Sequence, residues 1–287
     1  MTIGLVLLLS VGAVLGFARQ DPREQAGRGE LARSPARPVE GTPRKPPPPR
    51  RPLRLERIEV GRGARGAAVV RPSELEGPQP GVVLLHGWGE VERSDYRGWI
   101  RHLAQAGNTV IVPRYQRSAQ SPPDRVLANA LAGVRSSLRR APIAPGSLVV
   151  AGHSAGAALA ADYAGSARRE GLPRPRAVFA AYPGRIILGY PGGIPAVDPS
   201  AISARTRILA MAGANDRVVA QAPARELIRS AVNVPTRRKR FILVQDPAVD
   251  DHGGPQRAGR AARRIFWARL DRLIALARRS RDAGSGG

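Results

Sequence analysis

The sequence predicts an α/β fold: a doubly wound, mostly parallel central sheet of about eight strands, flanked by helices on both faces. Two observations carry this. Short apolar runs such as Pro80 to Leu85, Thr109 to Val112 and Ala177 to Ala181 recur along the chain, and strands covered on both faces read as continuous apolar runs. Between them lie stretches with apolar residues at helical spacing, the crossovers that parallel neighbours require.

Taken in order, Leu55, Ile58 and Val60, then Ala67 to Val70, predict a hairpin-like start with Gly61, Gly63 and Gly66 between the strands. Pro80 to Leu85 is a strand that runs into His86 to Gly89. Asp95 to Gly107 carries Tyr96, Trp99, Ile100, Leu103 and Ala104 at helical spacing and stops at a glycine. Strands follow over Thr109 to Val112, Ser147 to Ala151, Ala177 to Ala181, Arg207 to Met211 and Phe241 to Val244. Helices are expected over Val126 to Leu138, Ala224 to Ala231 and about Gly259 to Arg279. In the last of these, Ala262, Phe266, Leu270, Leu273, Ile274 and Ala277 form one apolar stripe among arginines, so one face packs on the sheet.

Two segments precede this domain, which spans residues 53–287. Ile3 to Ala18 is uncharged and apolar, shorter than a spanning helix prefers and close to a signal-peptide core, with cleavage expected after Ala18. Residues 1–18 therefore predict export. Arg19, Arg23, Arg28 and Arg33 follow the apolar run while no Lys or Arg precedes it, so an uncleaved membrane anchor stays open. Residues 19–52 are rich in Arg and Pro, without apolar periodicity, and read as a disordered linker.

The 287-residue chain carries a formal net charge of +24, nearly all of it from arginine. Its few aromatic residues are not interleaved with the arginines, so no platform for stacking bases is visible and no nucleic-acid partner is expected. A solvated tether and association of the basic linker with an anionic membrane or wall surface both remain open; so does the oligomeric state. There is no cysteine, which excludes disulfides, thiol catalysis and Cys-ligated metals. No metal or organic cofactor is expected.

The chemistry centres on Gly152-His153-Ser154-Ala155-Gly156. An apolar strand runs into this pentapeptide and small helix-forming residues follow it, the strand, sharp turn and helix of a nucleophile elbow. Ser154 would stand exposed at the end of a central strand. A serine hydroxyl needs a base, and the base an orienting carboxylate. Of the four histidines, His153 lies inside the elbow and should point away from the serine, His102 lies in a helix, and His86 closes a strand. His252, in Asp251-His252-Gly253-Gly254 after the last strand, remains as the base. Asp216, at the turn after the Arg207 strand, sits where ligands gather in open α/β sheets and is the expected acid; Asp198, Asp246, Asp250 and Asp251 are the fallbacks. Backbone amides of Ala155 and Trp88 are the expected oxyanion donors.

Together, H-G-W-G at 86–89, G-H-S-A-G at 152–156, A-G-A-N-D at 212–216 and D-H-G-G at 251–254 resemble the α/β-hydrolase superfamily across about Leu53 to Arg279. The first motif looks more like the dienelactone hydrolase, polyester hydrolase and triacylglycerol-lipase-like branches than like esterases with H-G-G-G. The resemblance implies a serine esterase or lipase with Ser154, Asp216 and His252 as its triad. About 25 residues separate the Ala177 and Arg207 strands, too few for a full cap domain, so a short or minimal cap is expected. Its apolar residues, Tyr190 among them, and Trp88 are candidates for binding the substrate. An acyltransferase or peptidase of the same fold remains open, as does a non-catalytic envelope-associated binding protein on a hydrolase scaffold.

Overall fold

The computed structural model describes residues 51–90 and 94–282. The expectations for residues 1–18, and for the linker as far as residue 50, lie outside them. Eight strands are present: β1 (Leu55–Val60), β2 (Ala67–Pro72), β3 (Gly81–Leu85), β4 (Thr109–Pro113), β5 (Val149–His153), β6 (Ala177–Ala181), β7 (Arg207–Gly213) and β8 (Lys239–Val244). The helices are α1 (Arg97–Gln105), α2 (Val126–Arg140), α3 (Ala155–Ser166), α4 (Ala222–Ser230), α5 (Arg260–Ala262) and α6 (Ala268–Asp282), the last two joined by a π-helical turn, Arg263–Trp267.

The strands form one sheet in the order β1-β2-β4-β3-β5-β6-β7-β8. β1 pairs antiparallel with β2, and β2 antiparallel with β4; every other pairing is parallel. The antiparallel start answers to its short Gly-rich connection, whereas each parallel pair is linked by a crossover carrying a helix or a long loop. β5 lies at the centre between β3 and β6, and all five of its residues are buried, as their apolar run requires.

Alternate strand residues feed two cores. Val150, Val178 and Ile208 face Leu131, Val134, Leu159 and Leu227 of α2, α3 and α4. Val149, Ala151 and Phe179 face Trp99 and Leu103 of α1 and Phe266 and Leu270 of the last helix. The apolar stripe predicted for that helix is buried along its length. The π turn within it was not anticipated, because the i, i+4 stripe reads the same through it. The carboxyl ends of β3, β5, β6, β7 and β8 converge on one edge of the sheet, where the connecting loops carry the motifs.

Candidate active site

β5 ends at His153 and α3 begins at Ala155, leaving Ser154 alone to make the turn, with φ 55° and ψ −124°. An L-residue there is strained by about 1–3 kcal/mol and persists only where its surroundings hold it. They do: the Ser154 amide donates to the Ala181 carbonyl at 3.0 Å, and its carbonyl accepts from Ala157 at 2.9 Å, Ala158 and Gly184. Strand and helix approach so closely that a Cβ on Gly152 would overlap the Gly156 carbonyl, and one on Gly156 the carbonyls of Leu85 and His86. Both elbow glycines are therefore steric necessities.

The Ser154 hydroxyl lies 2.9 Å from Nε2 of His252, and Nδ1 of His252 lies 2.9 Å from Oδ2 of Asp216. The Asp216 side chain is wholly buried. Its other oxygen, Oδ1, accepts the amides of Val218 at 2.9 Å and Val219 at 3.1 Å, which fixes the carboxylate against the turn that carries it. Burial pushes its pKa up, but the bonds from His252 and the two amides outweigh burial and hold Asp216 below its ordinary range. An ionised Asp216 accepts from Nδ1–H, which leaves the Nε2 lone pair facing the serine.

The fallback acids are engaged elsewhere. Asp250 accepts from the Asn215 side chain at 2.7 Å, Asp251 pairs with Arg257 at 2.7 Å, Asp246 with Arg264 at 2.5 Å, and Asp198 caps Ser200. Among the other histidines, His102 pairs with Asp271 at 2.8 Å, and His86 stacks on Tyr115 with its Nε2 2.9 Å from the Arg114 carbonyl.

A cleft of about 260 Å³ opens over Ser154, lined among others by Trp88, Ala155, Ile187 and His252. Of the amides from Gly87 to Glu90, those of Gly87, Gly89 and Glu90 are taken by the Tyr96 hydroxyl, the Gln116 side chain and the Gly87 carbonyl. The Trp88 amide donates to no acceptor among the described residues, and neither does that of Ala155. Two open donors thus border the serine, one from the loop after β3 and one from the first residue of α3. The Trp88 indole N–H is spent on the Ala119 carbonyl at 2.9 Å.

Tyr190 requires a correction. It does not line the cleft: its hydroxyl donates to the Gln120 carbonyl and its ring packs on the core. The cap loop instead turns Ile186, Ile187 and Leu188 toward the cleft, because Arg185 is drawn under it into a bidentate pair with the buried Asp162, at 2.9 and 2.6 Å. Asp162 also accepts the Val197 amide at 3.0 Å, so one carboxylate pins both ends of the loop. Sequence reasoning missed this pair, since nothing local links positions 162 and 185. Among the described residues no helical cap covers the site.

His153 points away from Ser154, as strand alternation demands, but it lands between the Tyr96 hydroxyl and the loop that carries His252. Its Nδ1 is 2.7 Å from the Tyr96 hydroxyl and its Nε2 is 2.9 Å from the backbone carbonyl of His252. Burial lowers its pKa to about 3. Parity was the available signal: position 153 shares the sheet face of Val149 and Ala151, which α1 covers.

Among the described residues no group of His, Asp and Glu side chains is arranged to hold a metal ion. No helix among them is long and apolar enough to cross a membrane.

Comparison with solved structures places several hydrolases on the same fold. A putative dienelactone hydrolase from Klebsiella pneumoniae superposes with a TM-score of 0.56 at 20% identity, covering 77% of this chain and 99% of its own. An esterase from Rhizomucor miehei does so with a TM-score of 0.61 at 16% identity, over 80% of this chain and 86% of its own. Esterase B from Lactobacillus rhamnosus, bound to a tributyrin-type phosphonate inhibitor, gives 0.57 at 15% identity, over 83% and 91%. No curated protein matches the sequence. A family model described as the alpha/beta hydrolase fold matches residues 82–242, more than half of the chain and the stretch from β3 through the elbow to β8. The strand order and the elbow agree with this match, and the chain belongs to the α/β-hydrolase family.

Proposed function

We propose that this protein is a serine hydrolase that cleaves carboxylic esters through an acyl-enzyme on Ser154. The observation that carries the reading is the pair of 2.9 Å contacts that His252 makes, one to Ser154 and one to the buried Asp216. The Ser154 oxygen attacks the ester carbonyl while its proton passes to Nε2 of His252, and Asp216 stabilises the imidazolium. The carbonyl oxygen takes the negative charge and accepts from the free amides of Trp88 and Ala155. Collapse expels the alcohol, which leaves with the proton from His252. Water then attacks the acyl-enzyme with His252 as base, and the acid and free Ser154 are regenerated.

Substrate preference follows from the rim. Ile186, Leu188 and Val218 border the cleft while 90%, 98% and 67% exposed, and Trp88 and Ile187 form its wall. Such a mouth suits an ester with an apolar acyl part and an alcohol that reaches out past the short cap. Inhibition of the Lactobacillus esterase B by a phosphonate of tributyrin type is in keeping with this reading. Export, by cleavage after Ala18 or by anchoring, belongs to the same proposal on the strength of the apolar run at residues 3–18 alone.

Hydrolysis of p-nitrophenyl esters from acetate to palmitate by the wild-type chain and by Ser154→Ala and His252→Ala tests it. Each variant should lose kcat by about 10⁴-fold or more with its circular dichroism unchanged. Undiminished turnover in Ser154→Ala would refute the assignment.

A further inference from the structure

We infer that His153 is a positioning residue: one ring nitrogen fixes the backbone of His252 and the other, through the Tyr96 hydroxyl, fixes the amide of Gly87. The elbow thereby sets the base and the oxyanion loop relative to the nucleophile it carries. This rests on the ester-hydrolase reading above.

The direction of each hydrogen bond is determined by chemistry. A carbonyl oxygen can only accept, so Nε2 of His153, 2.9 Å from the His252 carbonyl, carries the proton. Nδ1 is then the lone-pair nitrogen, and the Tyr96 hydroxyl at 2.7 Å donates to it. The Tyr96 oxygen in turn accepts the Gly87 amide at 2.9 Å. The chain runs one way, from Gly87 N–H through Tyr96 O–H and His153 to His252 C=O. Only the neutral, Nε2-protonated ring fits it. A second proton on Nδ1 would face the Tyr96 hydroxyl proton, and full burial opposes that charge as well.

Among the described residues, the bond from His153 is the single hydrogen bond made by the main chain of His252. The main chain of the loop after β8 is therefore tied to the elbow by the His153 imidazole, beside the bond from the His252 ring to Ser154, and the two ring centres lie 5.0 Å apart. At the other end, the Gly87 amide immediately precedes the open amide of Trp88, so the Tyr96 hydroxyl, together with the Tyr115 hydroxyl and the Glu90 amide on the Gly87 carbonyl, sets how that donor is aimed. The His153 ring bonds the Tyr96 hydroxyl and the main chain of His252 rather than Ser154; it acts through the two groups it holds.

Three variants of the full chain separate positioning from packing. His153→Gln reaches as far as Nε2 and can donate to the His252 carbonyl, His153→Asn stops at the distance of Nδ1, and Tyr96→Phe keeps the ring and removes the hydroxyl that joins His153 Nδ1 to the Gly87 amide, leaving the bond to His252 in place. His153→Asn should lower kcat about 10²-fold, with KM within about a factor of two, because sub-ångström displacement of a catalytic group is felt in the chemical step. His153→Gln should recover to within about tenfold of wild type, with Tyr96→Phe falling between the two. Phosphonylation of Ser154 by a fluorophosphonate should slow in the same order, while the thermal midpoints of the Asn and Gln variants agree. Equal kcat in the Asn and Gln variants, with Ser154→Ala inactive beside them, would overturn the positioning role alone. Activity surviving in Ser154→Ala would overturn the hydrolase reading and the inference with it.

Discussion

The floor and the rim of the cleft are built on opposite principles. On the floor, the Asp216 side chain is wholly buried and His153 nearly so, and each of their polar atoms has a partner of fixed direction. On the rim, Ile186 and Leu188 are 90% and 98% exposed and pack against nothing that would fix a rotamer. A buried polar group without a partner costs about 1–3 kcal/mol, so the floor has one arrangement, whereas an exposed aliphatic side chain costs little in any. Under the proposed function, reactivity is thus set by the fold before substrate arrives, and selectivity is left to a loop that tolerates change.

The contrast is broken most severely at the acid. Asp216→Asn should lower kcat by about 10³–10⁴-fold, because the amide favours the wrong imidazole tautomer, while Asp250→Asn, with its partner Asn215, stays within about tenfold of wild type. Steady-state kinetics of the two variants side by side decide the assignment, and the reverse ranking would move the acid to Asp250.

The next effect is on stability against pH. The folded pKa of His153, about 3, lies below its ordinary 6.5, so the unfolded chain binds the proton first as the pH falls. The sign is therefore a loss on acidification: no contribution above 6.5, then a decline toward 3 at up to about 1.4 kcal/mol per pH unit from this group. Urea unfolding of wild type and His153→Gln across this range should show the slope reduced by roughly one proton in the variant. Parallel slopes would mean that His153 is not buried neutral.

A smaller effect is expected where floor meets rim. Arg185→Ala leaves the buried Asp162 carboxylate with only the Val197 amide and should destabilise by about 3 kcal/mol, less any relief from protonation of Asp162, whose pKa burial already raises. Loosening the loop should raise KM more than it lowers kcat. An unchanged melting temperature would show that the pair does not pin the loop. Smallest of all, Leu188→Ser should leave stability within about 0.5 kcal/mol and change kcat/KM for the longest acyl esters by about tenfold, with acetate unaffected. Equal effects on acetate and palmitate would place the acyl chain elsewhere.

The fold was legible because its signals are local. Apolar runs such as Ala177 to Ala181 can serve only as covered strands, and the glycine-flanked Ser154 can turn only where strand meets helix. Ser154, His252 and Asp216 could be named because each closes a motif at a strand end and histidine is scarce. What escaped depends on distance in the chain. The Asp162 and Arg185 pair and the link from Tyr96 through His153 to His252 both join elements far apart in sequence; of the cap loop's apolar residues, all candidates for the pocket wall, Ile186, Ile187 and Leu188 border the cleft and Tyr190 does not. Tyr190 misled because an aromatic among Pro and Gly residues suggests a pocket wall, while its hydroxyl had a backbone carbonyl at Gln120 to satisfy.

The central claim, a serine activated in advance by the fold, is tested most directly by fluorophosphonate labelling of the full chain followed by mass spectrometry of its peptides. One adduct on Ser154, absent from Ser154→Ala and suppressed by His252→Ala, is the result expected. A folded wild-type chain that takes no label, or takes it on another serine, would contradict the account.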